Sequence, residues 1–576
     1  MKEKNDNSTK KLEYFKGLYD TARAAMSDTL DRFERNEAQY EGSREIDGST
    51  TAATTVRNIT YEIIECQISS DIPTPKTDSA SYSETRERNA RSIERLCSAV
   101  RERLPFEAMN DLDERYTYIF GGSVWYVEWD NTDECGCDVG GVKVHCLPPH
   151  DLIPQPGVCS IEDMDYCFLR FVTTKSELVR KYGVRVEDLA LAECEYSYGG
   201  PVSDNDTACV IVTFYRTDDG AVGKFVFSGD LMLSDVPSYY SRKLRVCSEC
   251  GAPDGECECA AERDIVDLTL ERVSAGRISE CEEAIPYYTP RKFPIVIRKN
   301  VSASPSLLGS SDCESIRYQQ QAINKIESRI LQKLLRSGIT PIVPEESTVS
   351  LNNAVFGQVI RMKPGESISQ YGKLDTTPDI SQDIEEADRL YDQAKRIMGI
   401  SDALVGTDIG SESGYAKQLK ILQANARLQA KRQLKYQAYS EIYRLIFEHF
   451  LAFADEPRSL SYKDGFGKVH SAEFSRYDFL ELGRAGEYYY YDGYLFSVDL
   501  NCGAEYLREE LWERNLSNLR SGTLGDPESP TTLLRYWQSQ ERAHYPYARE
   551  NVEYFKSILD AKEQEKTEES EKNYEG

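Results

Sequence analysis

From Ser413 onward, Leu419, Leu422, Ala426, Ala430, Leu434, Ala438, Ile442 and Leu445 recur at steps of three or four residues. That spacing keeps them along one side of an α-helix, and it persists for roughly 40 residues, several times the ordinary helix length. A helix this long implies packing against several elements. The stretch that leads into it, SDALVGTDIGSESGYAK, is acidic and rich in Gly and Ser. Gly406, Gly410 and Gly414 permit backbone angles that other residues resist, and Ser413 is a good N-cap, so a loop over 401–413 is predicted to separate two helices.

The preceding helix is DISQDIEEADRLYDQAKRIMGI (379–400), acidic in its first half. An earlier one, GSSDCESIRYQQQAINKIESRILQKLLRSG (309–338), carries Ile316, Gln320, Ile323, Ile326, Ile330 and Leu334 as a stripe. With Ser311 or Asp312 as N-cap and Gly338 at the end, it runs about 26 residues, or ~40 Å. Between these two helices, 338–378 reads as a prolyl, strand-like excursion. Lys417, Lys420, Arg427, Lys431, Arg432, Lys435 and Arg444 of the long helix oppose Asp379, Asp383, Glu385, Glu386 and Asp388 of the preceding one. The charges fit either solvated faces or an ion-pair network within or between subunits.

Upstream, Leu12, Phe15, Tyr19, Ala22, Met26, Leu30 and Phe33 predict a helix ending near Gly42. NITYEIIECQISSDIPTPK (58–76) closes on prolines that should stop regular structure, and Ala90, Ile93, Cys97, Val100 and Leu104 mark a further helix. From Gly121 the period changes to two in GGSVWYVEWD, and strand signals continue through 142–157, 167–174, 208–216 and 224–233. The fold class is therefore α+β. A Tyr-rich strand region at 487–498 precedes helical signals to about 560; the start, 1–10, and the tail, 561–576, read as disordered.

The 576 residues suffice for several cores. Ninety-seven acids against 69 bases leave a formal charge of −28, which argues against a static DNA coat and for a basic partner, a self-repelling assembly, or an acidic face shown to a polyanion. No window approaches the ~20 apolar residues of a membrane span, and MKEKNDNSTKK lacks the apolar core of a signal peptide. A soluble, non-secreted protein is expected. Most of the 16 cysteines stand singly (Cys66, Cys97, Cys194, Cys209, Cys313, Cys502) and read as reduced.

In this order, NIT…ISSDIPTP, GGSVWYVEWD, PPHDLIPQPG with FLRF…ELVRKYG, FPIVIRK before GSSD…RYQQQAINKIESRI, and the SESGYAK loop before the long helix resemble the portal, or head-to-tail connector, proteins of tailed bacteriophages. The resemblance covers roughly 10–455. It implies a homo-oligomeric ring, usually a dodecamer, around a DNA channel at one capsid vertex of the virion, assembled in the host cytoplasm. It implies a wing (11–300), a first stem helix (301–337), a clip (338–378), a second stem helix (379–400), a tunnel loop (401–413), a long wing helix (414–455), a β-rich wing segment (456–505) and a crown (506–560). Its partners would be terminase, a head-tail adaptor, the major capsid or scaffolding protein, and double-stranded DNA passing without sequence specificity; no membrane is implied. Asp408, Ser411 and Glu412 of the loop, with Asp383, Glu385 and Glu386 of the second stem helix, are expected near the DNA path, where carboxylates repel phosphates and let the duplex slide. Glu345, Glu346, Arg361 and Lys363 are the clip residues expected to dock partners.

CSECGAPDGECEC places Cys247, Cys250, Cys257 and Cys259 close enough to close a structural Zn²⁺ site, with free, oxidation-prone thiols as the alternative. The resemblance does not predict this cluster. Cys135, Cys137, His145 and Cys146 form a looser group. GAVGKF (220–225) and GFGKVH (465–470) lack the spacing and the Ser/Thr of a P-loop, no HExxH or GxSxG is present, and the five histidines are isolated, so a non-enzymatic role is expected. The competing readings are a metal-dependent nuclease built on paired carboxylates and a zinc-stabilised virion adaptor.

Overall fold

The computed structural model describes residues 2–43, 55–191, 207–236, 244–247, 265–271, 285–336, 339–342, 372–375, 379–400, 414–499 and 505–559, apart from gaps of a few residues. Helices come first: α1 (Lys2–Ala25), α2 (Ser27–Glu41) and α3 (Ile59–Glu65), then strand β1 (Thr74–Ser79), then α4 (Glu84–Arg103) and α5 (Phe106–Phe120). Strands follow as β2 (Gly122–Cys135), β3 (Asp138–Leu147), β4 (Leu152–Pro154), β5 (Tyr166–Thr174), helix α6 (Lys175–Tyr182), β6 (Thr207–Arg216), β7 (Val222–Ser228) and β8 (Leu231–Val236). Two short antiparallel pairs, β9 (Leu244–Cys247) with β10 (Ile265–Leu268) and β11 (Leu270–Glu271) with β12 (Ile285–Pro286), lead to β13 (Ile295–Lys299). Next come α7 (Asp312–Arg336), β14 (Ile339–Ile342), β15 (Gly372–Asp375), α8 (Ser381–Met398) and the long α9 (Gly414–Phe453). The chain closes with β16 (Arg458–Lys463), β17 (Val469–Phe474), β18 (Leu480–Leu482), β19 (Tyr488–Tyr490), β20 (Tyr494–Asp499), α10 (Glu505–Arg520) and α11 (Pro530–Arg542). The described chain is α+β with several small sheets.

Local chemistry accounts for most boundaries. The first helix begins at Lys2, inside the start that reads as disordered from sequence, and the expected single helix to Gly42 divides at Met26. The closing prolines at 73 and 75 do not end regular structure: β1 runs through Pro75 and pairs with β20, an edge position that tolerates a missing N–H. Helix α5 had no counterpart in the sequence reading; Phe106, Met109, Tyr118, Ile119 and Phe120 are buried along it. It ends at Gly121, whose φ of +92° suits glycine, and a side chain there would clash with the Gly309 carbonyl oxygen. The run KFVFSGDLML is a hairpin, β7 and β8, rather than one strand.

The five-stranded antiparallel sheet β4-β5-β6-β7-β8 is apolar on both faces because its strands alternate two apolar sets. Phe168, Cys209, Ile211, Phe225 and Phe227 meet Leu12, Phe15, Tyr19 and Ala22 of α1, with the Phe15 and Phe225 rings stacked at 4.9 Å. Leu169, Val210, Val212, Phe214 and Val226 face the main core instead. That core joins the three-stranded sheet β13-β2-β3, α4 and the C-terminal half of α9, from Ala438 to Phe453. The C-terminal half of α9 packs into this core, and the helix contacts β13, β20, β2 and α4, the several elements its length predicts. No helix among the described residues is long and apolar enough to cross a membrane.

Candidate functional site

Helices α7 and α8 form an antiparallel pair. Ile316 and Ile323 of α7 meet Ala394 of α8 over Ile59 and Ile63 of α3, and Ala387 and Ala394, nearly free of solvent contact, let the helices approach. Beyond the end of α7 the chain leaves as β14 and returns as β15 in register, Ile339 opposite Asp375 and Ile342 opposite Gly372. The helix pair and the β14–β15 base of its excursion follow one another along the chain. Arg57 bridges both helices, 3.7 Å from Glu327 and 3.3 Å from Asp388, and Tyr391 donates to Glu62 at 2.6 Å.

Of the acids expected on this pair, Asp383 departs from expectation. Its carboxylate turns into the α7–α8 seam, where Lys333 and Arg329 both bind it and hold its carboxyl below the usual range. Glu385 is exposed, and Glu386 accepts a two-pronged bond from Arg389 at 2.8 and 2.6 Å. Of the two readings of the α8 acids, solvated or paired, both occur within the chain: Asp383 pairs with α7 and Glu386 with Arg389, whereas Glu385 is exposed; Lys431 and Lys435 of α9 use a different set of acids.

That set forms the most heavily charged buried site in the described chain. Arg298, near the end of the apolar strand FPIVIRK, binds Asp113 and lies 2.9 Å from Glu114; Lys435 of α9 lies 2.9 Å from the same Glu114 oxygen. All four are at most 2% exposed. Asp113 also accepts from Trp125 Nε1 at 2.8 Å and from Ser123. Burial alone would raise the Glu114 carboxyl, but Arg298 and Lys435 outweigh it and hold the group below its ordinary value. One turn earlier on α9, Lys431 donates to both Asp312 oxygens, at 2.9 and 2.7 Å, while Gln67 and Asn300 donate to the same carboxylate at 3.1 and 2.7 Å. Asp312 opens α7, where a negative charge complements the helix dipole, and Ser311 caps the turn by accepting from the Cys313 N–H at 3.1 Å. Tyr439 and Tyr443 extend the same ridge, donating to Asn110 at 3.0 Å and to the Pro73 carbonyl at 2.6 Å. So positions 431, 435, 439 and 443 of α9, each four residues on, fasten it to the start of α7, to α5 and to the segment before β1.

Sequence reasoning placed Asp312 at a helix start but missed Asp113, Glu114 and Arg298. An arginine directly after the apolar run PIVI in a strand was the available signal, since such a residue is rarely buried without a partner.

Of the four cysteines in CSECGAPDGECEC, only Cys247 is described. Cys247 ends β9 opposite Ile265, so the β9–β10 pair closes the base of the Cys-rich loop; Cys250, Cys257 and Cys259 lie outside the described residues. His145 turns to Glu128 at 3.4 Å, Cys146 is its neighbour on a strand and faces the other way, Cys135 stands at the far end of the hairpin, and Cys137 is not described. Among the described residues no three His, Cys, Asp or Glu side chains stand at metal-ligand spacing. Cys66, Cys97, Cys209 and Cys313 are not joined in disulfides. Asp408, Ser411, Glu412, Glu345, Glu346, Arg361 and Lys363 fall outside the described residues, as do Cys194 and Cys502. No protein-family model matches the chain. No curated protein matches it either.

Proposed function

We propose that this chain is the subunit of a portal: a ring that stands at one capsid vertex, passes double-stranded DNA inward and outward, and docks terminase and then a head-tail adaptor. The observation that carries the reading is the antiparallel α7–α8 pair with its β14–β15 base, followed by an acidic Gly/Ser-rich stretch and a 40-residue helix fastened back onto the start of α7. A subunit built to line a channel needs long helices that lie side by side, a projecting end for partners, and a rigid seat in a peripheral body. The charge of −28 supports the same reading, because each phosphate that a wall neutralises releases counterions and adds grip. Within it, Glu385 and the loop acids Asp408 and Glu412 face DNA, the 343–371 stretch meets the motor and adaptor, and the chain itself does no chemistry.

The test is the assembly state of the purified full-length chain. Negative-stain images showing closed rings with a central hole, together with a mass of many subunits, are expected. A protein that stays monomeric across salt and concentration, or that cuts DNA when given divalent metal, overturns the reading in favour of a DNA-processing enzyme.

A further inference from the structure

Strand β13 lies at the edge of its three-stranded sheet, bonded to β2 on one side and to no strand of the described residues on the other. Its register fixes what that outer edge presents. The Val127 N–H donates to the Pro294 carbonyl and the Asn300 N–H to the Gly121 carbonyl, both at 3.0 Å, so residues 294, 296, 298 and 300 turn their backbone groups to β2. By the two-residue repeat of an antiparallel ladder, the N–H and C=O of Ile295, Ile297 and Lys299 point outward. A cavity of about 460 Å³ opens there. Ile295, Val296 and Ile297 all line it, and consecutive residues, whose side chains go to opposite faces, share one lining along a strand's edge. One wall is the α9 ridge of Gln437, Glu441 and Leu445, four residues apart; the other is the segment 160–162 with Arg216 at the end of β6. Outward donors and acceptors repeating every ~7 Å are matched by another extended main chain, and a strand edge between a helix and a loop is where a peptide adds a strand.

Charge decides which chain fits. Arg216, Lys292 and Lys299 line the cavity against two carboxylates, Glu162 and Glu441. Both carboxylates are already matched: Lys292 lies 3.4 Å from Glu162 and 3.6 Å from Glu441, and Arg444 lies 3.8 Å from Glu441. Arg216 donates to the Met164, Arg291 and Glu162 backbone carbonyls at 2.9, 2.9 and 2.7 Å, and Lys299 to that of Ser306 at 2.8 Å, so both spend their charge on neutral oxygens. A second copy of β13 laid along the edge would bring two such sets of cations together, which disfavours self-pairing. With screening over ~8–10 Å at physiological salt, these neighbouring cations act on a bound chain more strongly than the distant acids of the molecule. We propose that the outer edge of β13 takes an added strand from an acidic, extended segment of a partner protein, its main chain bonded to residues 295, 297 and 299 and its carboxylates facing Arg216 and Lys299. The assignment does not depend on ring formation.

Fluorescence anisotropy of a labelled, blocked hexapeptide, Glu-Val-Thr-Val-Glu-Thr, titrated with the purified full-length protein tests it, beside the same peptide with Lys for Glu and one N-methylated at alternate residues. Saturable binding of the unmethylated acidic peptide alone is expected. Ile297→Pro deletes an N–H that β2 does not use, so the ladder stays while affinity falls about tenfold; Lys299→Glu lowers it by a similar factor, and Ile297→Val leaves it unchanged. Should Ile297→Pro fail to fold, the N-methylated peptide and Lys299→Glu carry the same test. No saturable binding up to millimolar concentration, equal binding of the lysine peptide, or affinity unmoved by N-methylation and by both variants overturns the proposal. Peptide-independent dimerisation in light scattering that Ile297→Pro abolishes also overturns it, because a second copy is then the occupant.

Discussion

Arg298 carries the strongest single consequence. Its guanidinium is shared by Asp113 and Glu114, with no solvent to take over if it is lost. Arg298→Met fits the strand but leaves an excess buried carboxylate, so a loss of about 3–5 kcal/mol in urea unfolding is expected, against well under 1 kcal/mol for an exposed pair such as Arg180–Glu177. Glu448 of α9 behaves oppositely. Burial drives its carboxyl up to about 7, with Asp492 and Glu441 adding to the shift and Arg444 and Lys292 opposing it. Because the folded chain holds this proton more tightly than the unfolded chain does, the Glu448 contribution favours folding at pH below about 4.5 and declines as pH rises to about 7. Glu448→Gln should therefore raise stability at pH 8 by about 3 kcal/mol while leaving it nearly unchanged at pH 4, measured by denaturant unfolding at both values.

At the scale of elements, the α7–α8 pair depends on small residues at its contact. Ala394 has no solvent exposure and sits against Ile59, Ile63, Ile316 and Ile323, so Ala394→Leu inserts atoms into a filled seam. A cost of about 1–3 kcal/mol is expected, read from the thermal midpoint. The same pair shows how far a sequence can be read. Three- and four-residue spacing located α7, α8 and α9 to within a few residues, because a helix exposes its periodicity in its own local order. Side-chain direction was not legible: Asp383 belongs to an acidic run that reads as solvent-facing, yet its rotation about α8 points it at Lys333 and Arg329. The missed α5 has the complementary cause. Its apolar positions are interleaved with Asn110, Asp113 and Glu114, which are buried only because Arg298, Lys435 and Ser69 come from elsewhere to meet them.

For the whole molecule, charge is the governing quantity. Within the portal reading, replacing Glu385, Asp408 and Glu412 with Gln or Asn removes three negative charges per subunit from the DNA path. The expected outcome is tighter binding of non-specific duplex DNA to assembled rings and a steeper fall of affinity with salt, followed by fluorescence anisotropy across a salt series. Unchanged affinity would place those residues away from the duplex. Lys431 and Lys435 matter at this scale too, since they tie the helix that follows the 401–413 stretch to α7 and α5. Lys431→Met should lower stability by about 3 kcal/mol by stranding Asp312, and rings formed by that variant should be less uniform in diameter by electron microscopy.

By itself the sequence determined the helix periods, the switch to strands at Gly121, the order of the segments and the negative field, because each depends on residues that are neighbours in the chain or on a simple sum over it. The tertiary structure alone decided which charges are buried and with whom. Asp113, Glu114, Arg298, Asp312, Lys431 and Lys435 come from three helices and a strand up to several hundred positions apart, and no local rule pairs them. Desolvation makes such a cluster costly unless every member is matched, so its partners are fixed by the packing of the surrounding core.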